Sequence, residues 1–162
     1  VVLYNVPGRC GVSMSYETVA ELAGHQQIVA IKEATGDMVL GTRILEACGD
    51  HLTLLSGDDF TTFPLLALGA KGCISVVSNL DPTTMSDLCR HVREGRLDEA
   101  RALHLRIQPL ARALFSDANP VPTKAGAALL GWCGPGLRPP LYEADEALNG
   151  MLSRALTDYG LL

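Results

Sequence analysis

Apolar residues gather into four short runs in the first half of the chain: Val1–Val6, Ile28–Lys32, Leu52–Ser56 and Gly72–Val77. Short, nearly continuous apolar runs suit parallel strands that are covered on both faces. Between them the apolar positions fall into helical spacing. Ser15 is placed to cap a helix over Tyr16–Ala23, with Glu17 in its first turn and Gly24 at its stop. Asp37 starts a second helix that reaches about Cys48, ahead of Gly49. A third covers Thr62–Leu68, where Pro64 is compatible only with the first turn. Asp81-Pro82 opens a fourth, which runs to about Glu94 and stops at Gly95. The order is β-α repeated four times, with a strand beginning every 20–27 residues. That period predicts βαβ units and a parallel sheet.

Strand-like runs end there. Leu97–Phe115 reads as a long helix with the apolar stripe Leu103, Ile107, Leu110 and Leu114, and Pro109 is expected to kink it. Asn119-Pro120-Val121-Pro122 reads as a rigid connector and Thr123–Leu130 as a helix. Gly131–Tyr142 is a Gly/Pro-rich loop, and Glu143–Tyr159 a last amphipathic helix. The chain thus divides into an α/β part, 1–95, and a helical part, 96–162. Four βα units fit a small doubly wound sheet as well as half of an eight-unit barrel, which takes about 250 residues in full.

Composition narrows the function classes. Hydrophobic residues make up 48% and charged residues 19% of 162 residues, enough for a sizeable core. The formal net charge is -5, and no basic block or aromatic–basic interleaving is present. Nucleic acid and anionic membrane surfaces are therefore not expected as partners. The five cysteines are scattered without a CxxC pair, and the four histidines lie far apart. Neither a disulfide framework nor a metal site is expected, and a reducing cytoplasm suits the thiols. The chain opens without Met inside a strand-like run, which suggests part of a longer polypeptide.

In parallel α/β folds the reactive groups collect at the C-terminal ends of strands. Lys32 ends the second run, beyond Ile28-Val29-Ala30-Ile31. A lysine there is either a side chain escaping to water or a desolvated amine, nucleophilic toward a carbonyl. Alternation puts Lys32, Ala30 and Ile28 on one face and Glu33, Ile31 and Val29 on the other, so the small Ala30 would leave the amine room. Tyr4 ends the first run as a phenolic proton donor or acceptor, or as a packed strand tyrosine. Arg9 follows on a Gly/Pro-braced loop, as a two-bond clamp for a carboxylate or as a surface charge. Amine, phenol and guanidinium together suit a 2-oxo acid. No GxGxxG or GxxxxGK[ST] motif supports nucleotide binding. Pyridoxal phosphate would need a phosphate cradle, for which Gly57 and Gly69–Gly72 are thin support. Asp58-Asp59 reads as a cap for the next helix before a metal site.

Five stretches then look familiar in order and spacing: Tyr4-Asn5-Val6-Pro7-Gly8-Arg9-Cys10-Gly11, Ile31-Lys32-Glu33-Ala34-Thr35-Gly36-Asp37, Ser56-Gly57-Asp58-Asp59, Gly72-Cys73-Ile74-Ser75-Val76 and Asn119-Pro120-Val121-Pro122-Thr123-Lys124. Together they resemble the dihydrodipicolinate synthase (4-hydroxy-tetrahydrodipicolinate synthase) family of pyruvate-dependent lyases and aldolases. The resemblance covers the second half of that family only. It implies four βα units of a (β/α)8 TIM barrel followed by a C-terminal helical domain. It implies that Lys32 forms an imine with pyruvate and that Tyr4 relays protons. Arg9 would bind the carboxylate of the aldehyde, and Gly57 and Ile74 would offer backbone contacts to substrate. The implied reaction condenses pyruvate with L-aspartate 4-semialdehyde in lysine biosynthesis, without metal or organic cofactor. The family's first half, with its remaining strands and a threonine of the proton relay, has no counterpart in these residues. The resemblance therefore also allows a non-catalytic fragment that acts through assembly, as a homo-oligomer or with the missing half. A sister aldolase resembling the N-acetylneuraminate lyases is the further alternative, opposed by Arg9.

Overall fold

A computed structural model describes all residues 1–162. Four strands, β1 (Val2–Asn5), β2 (Ala30–Glu33), β3 (Thr53–Ser56) and β4 (Gly72–Cys73), form one parallel sheet in chain order. Tyr4, Lys32, Leu55 and Gly72 lie level across it, and Asn5, Glu33, Ser56 and Cys73 form the next row. Eight helices accompany the strands: α1 (Pro7–Cys10), α2 (Tyr16–Ala23), α3 (Met38–Cys48), α4 (Thr62–Leu68), α5 (Pro82–Arg93), α6 (Leu97–Leu114), α7 (Val121–Leu129) and α8 (Glu146–Tyr159). None is long and apolar enough to cross a membrane. The α/β architecture with a parallel sheet is the one the hydrophobic pattern predicts.

Side-chain caps set half of the helix starts. Ser15 Oγ accepts from the Thr18 amide at 3.3 Å, and Asp37 Oδ1 accepts from Val39 and Leu40 at 2.8 and 3.1 Å. Asp81 Oδ1 accepts from Thr84 at 2.9 Å, and Asp145 Oδ1 from Leu148 at 2.8 Å. Each such cap contributes about 1 kcal/mol. Asp145 also explains why α8 begins at Glu146 and not at the expected Glu143.

Two other boundaries depart from the pattern. Pro7–Gly11, expected as loop, is a single helical turn with Pro7 at its start and Gly11 at φ 70° closing it. Val121 and Pro122, expected in a rigid connector, already belong to α7; a proline without an N–H fits a first helical turn. As the pattern predicts, α6 runs as one long helix through Pro109, to Leu114.

The fourth strand is the largest departure. It stops at Cys73 instead of reaching Val77. The Val76 and Val77 amides donate to Asp59 Oδ2 at 2.8 and 3.1 Å, where a longer strand would pair with a neighbour. The chain therefore leaves the sheet and tightens into a 3₁₀ turn at Val77–Asn79.

The core lies between the sheet and its helices. Ile31 and Leu54 of the strands share one buried cluster with Val19, Ile44, Leu65 and Leu88 of the helices. The same continuous cluster extends to Ile107, Leu110 and Leu114 of α6 and to Leu152 and Leu156 of α8. Burying each such leucine stabilises by about 1.5–3 kcal/mol. The opposite sheet face is open: Val2 and Tyr4 are 49% and 44% exposed.

Asp59 is wholly buried, and its Oδ1 has no partner. Burial pushes its carboxyl up from the ordinary value, against the opposing hydrogen bonds from Ser75, Val77 and Val76. A folded pKa above the unfolded one favours the folded state below it, and that contribution fades as pH rises through the raised value. Asp59→Ala leaves the buried Val77 amide and the half-buried Val76 amide without their acceptor, and is expected to cost about 1–3 kcal/mol for the buried one and less for the other. Asp59→Asn keeps an acceptor, costs less, and flattens the acid-side pH dependence; urea unfolding between pH 4 and 7 checks both.

Candidate active site

Lys32 and Tyr4 each stand one residue before the end of their strand, and the β1–β2 register sets them side by side. Lys32 is half-buried, and its Nζ sits over the Tyr4 ring, 4.1 Å from the centroid. Such a contact contributes about 0.5–2 kcal/mol, depending on desolvation. The side-chain nitrogen rests on the ring face, and no hydrogen bond joins it to the phenolic oxygen.

These two side chains open into a cavity of about 440 Å³ at the C-terminal ends of the strands. Arg9, Gly57, Asp58 and Val76 also line it. Arg9 sits in the last turn of α1, and its Nη2 donates to the Asn119 carbonyl at 2.9 Å. That bond anchors the guanidinium at the junction with the helical part while leaving its other N–H groups free to bind an anion. Four of the five expected residues thus converge: Lys32, Tyr4, Arg9 and Gly57. Ile74 lies just past β4, 43% exposed and outside the cavity lining; its amide donates to Ser56 O at 2.7 Å.

Gly57 is there for space. A Cβ at this position would lie 2.8 Å from Lys32 Cγ and Cε and 2.7 Å from Ala34 Cβ. The room around the lysine stem comes from Gly57 on the neighbouring strand end as well as from the small Ala30 below it. Asp58 is used locally, accepting from the Phe60 amide at 3.1 Å and from Thr61 Oγ1 at 3.3 Å.

The sequence pattern missed the support behind the site. Asn5 and Glu33 are each about 1% exposed on the helix-facing side, next in sequence to Tyr4 and Lys32. Asn5 Nδ2 donates to Glu33 Oε2 at 3.0 Å, and Asn5 Oδ1 accepts from the Met14 amide at 3.0 Å. Glu33 Oε1 accepts from the Thr35 amide. A glutamate sharing a strand face with Ile31 was the available signal, since a buried carboxylate needs partners.

A larger hollow of about 540 Å³ lies at the opposite strand ends, beside His25, Asp50 and His51. No three His, Cys, Asp or Glu side chains converge there or elsewhere to hold a metal ion.

Comparison with known proteins connects this geometry to a family. Residues 1–159 match the model of the dihydrodipicolinate synthetase family. The 4-hydroxy-tetrahydrodipicolinate synthase of Pelobacter propionicus is 49% identical over 161 residues, which is 99% of this chain and 56% of that protein. The crystal structure of dihydrodipicolinate synthase from Thermotoga maritima superposes with a TM-score of 0.96 at 40% identity, covering 99% of this chain and 56% of that one. A chloride-inhibited dihydrodipicolinate synthase from Acinetobacter baumannii, complexed with pyruvate, gives 0.96 at 38% identity, covering 99% and 55%. The chain spans about 56% of the length of the curated relative it matches.

Gly57→Ala is expected to destabilise by about 1–3 kcal/mol through overpacking. The loss should be smaller in a Lys32→Ala background, because the lysine stem supplies two of the three close contacts. A double-mutant cycle by denaturant unfolding measures the difference; an unchanged cost would mean that Ala34 alone sets the limit.

Proposed function

We infer, from the premise that this chain belongs to the dihydrodipicolinate synthetase family, that its residues form the imine-bearing half of a pyruvate-condensing (β/α)8 barrel. In this reading 1–95 is the half barrel and 96–162 a helical domain packed on it. The observation that carries the reading is the lysine amine in a strand-end cavity, flanked by a phenol and a guanidinium. The name of the curated relative and the pyruvate bound to the Acinetobacter enzyme support the choice of substrate.

The chemistry follows from the groups present. The Lys32 amine adds to the ketone carbon of pyruvate; the resulting hydroxyl takes up a proton and leaves as water, giving a protonated imine. That cation acidifies the neighbouring methyl group, and loss of a proton yields an enamine nucleophile. The enamine carbon attacks the aldehyde of L-aspartate 4-semialdehyde. Tyr4 carries protons beside the imine, and Arg9 pairs with the incoming carboxylate. Gly57 leaves room for the lysine stem at the cavity, whereas Ile74, outside the lining with its amide engaged by Ser56, is assigned no substrate contact. The imine is the electron sink, so the scheme runs without metal or organic cofactor.

The sheet ends in two unpaired strands, β1 and β4, and its inner face carries the exposed Val2 and Tyr4. Such edges are ready to pair with further strands. Completion by the other half of the barrel, within a homo-oligomer in the cytoplasm, is the proposed working state.

Incubation with pyruvate and borohydride is expected to leave a carboxyethyl group on Lys32, read by peptide mass spectrometry, and Lys32→Ala should abolish it. Labelling that persists in Lys32→Ala would sink the assignment. In the complete enzyme Tyr4→Phe should lower turnover roughly 10²–10⁴-fold while trapping survives. Arg9→Ala should raise KM for the aldehyde roughly 10–100-fold, leaving pyruvate trapping intact.

A further inference from the structure

Cys73 closes β4, and Cys89 lies sixteen residues on, in the third turn of α5. Their sulfurs are 3.8 Å apart, and both side chains are half-buried. The other thiols differ: Cys10 and Cys133 are exposed, and Cys48 is buried. The spacing shows nothing of this in sequence, because the pair meets only when α5 folds back along the sheet.

We propose that Cys73 and Cys89 form a reversible dithiol–disulfide site whose oxidant is a low-molecular-weight disulfide. The two thiols are not equivalent. The S–H···S hydrogen bond between them can run either way; with Cys73 as donor, it and the nearby Arg93 guanidinium outweigh burial and bring the Cys89 thiol down to about 7. Cys73 is pushed far above the ordinary thiol range, first by that same hydrogen bond and then by burial and by the charges of Cys89 and Asp59. Cys89 is thus the attacking thiolate and Cys73 the resolving partner.

The exchange balances. The Cys89 thiolate attacks one sulfur of the small disulfide, forming a mixed disulfide and expelling one thiolate. Cys89 then carries no negative charge, so the main influence holding the Cys73 proton is gone. Cys73 loses its proton, attacks the Cys89 sulfur and expels the second small thiol. Two protein thiols are oxidised to one disulfide, and the small disulfide is reduced to two thiols. The sulfurs must close from 3.8 Å to about 2.05 Å. The closed bond staples β4 to α5. The enclosed segment includes Val76, part of the cavity wall, and the turn at Val77–Asn79.

The site does not depend on the catalytic reading, and its test needs no activity. Gly72–Arg90 contains no internal Lys or Arg, so trypsin leaves both thiols on one peptide. The folded 162-residue chain is treated with oxidised glutathione, alkylated and digested. The expected peptide has lost two hydrogens, takes up no alkyl group, and regains two alkylation sites after dithiothreitol. Cys73→Ser should accumulate glutathione on Cys89, whereas Cys89→Ser should leave Cys73 free to alkylate. A Gly72–Arg90 peptide doubly alkylated from the oxidised folded chain would overturn the proposal. So would two glutathiones on that peptide, or disulfide closure that occurs only in denaturant.

Discussion

The carboxylate of Glu33 accepts from Asn5 Nδ2 at 3.0 Å and from the Thr35 amide, in a place that water does not reach. This contact joins β1 to β2 on the helix-facing side, one residue along from the pair that faces the cavity. Side chains alternate along a strand, so register set on one face fixes register on the other. A slip of one residue would bury Lys32 among leucines and send Glu33 to the cavity. Losing one partner of a buried hydrogen-bonded carboxylate costs several times more than an exposed ion pair contributes. The arrangement of Tyr4 and Lys32 is therefore enforced from behind.

Around that pair the site is assembled from separate loops, each with its own constraint. Gly57 leaves space where any side chain would press on the lysine stem. Asp59 draws the Val76 and Val77 amides off the sheet and so places Val76 in the wall. Arg9 is tied to the Asn119 carbonyl, 110 residues away. The polar groups at the strand ends are cross-linked in three dimensions, while the apolar core underneath is continuous from α2 to α8.

Much of this was legible one residue at a time. Ser15, Asp37 and Asp81 announced their helices because a cap is a local interaction between near neighbours in sequence. Lys32 stood out because an amine at the end of an apolar run is costly to place. The unreadable features were those decided by distant partners. Gly72–Val77 looked like a full strand until Asp59 competed for its amides. The space-giving role of Gly57 depends on a lysine from another strand, and the cysteine contact on a helix folding back. The turn at Pro7–Gly11 was hidden by glycine and proline, which signal loops and helix ends alike.

The single core also has a consequence in time. Leu152 and Leu156 of α8 complete a cluster that begins at Val19. A ribosome adds roughly 5–20 residues per second. The part of α6 that packs on α8 is therefore made some seconds before that helix exists. During translation that part of α6 waits with its apolar contacts only partly made. The yield of folded protein in a cell thus hangs on how quickly the last helix is synthesised as well as on how well it packs.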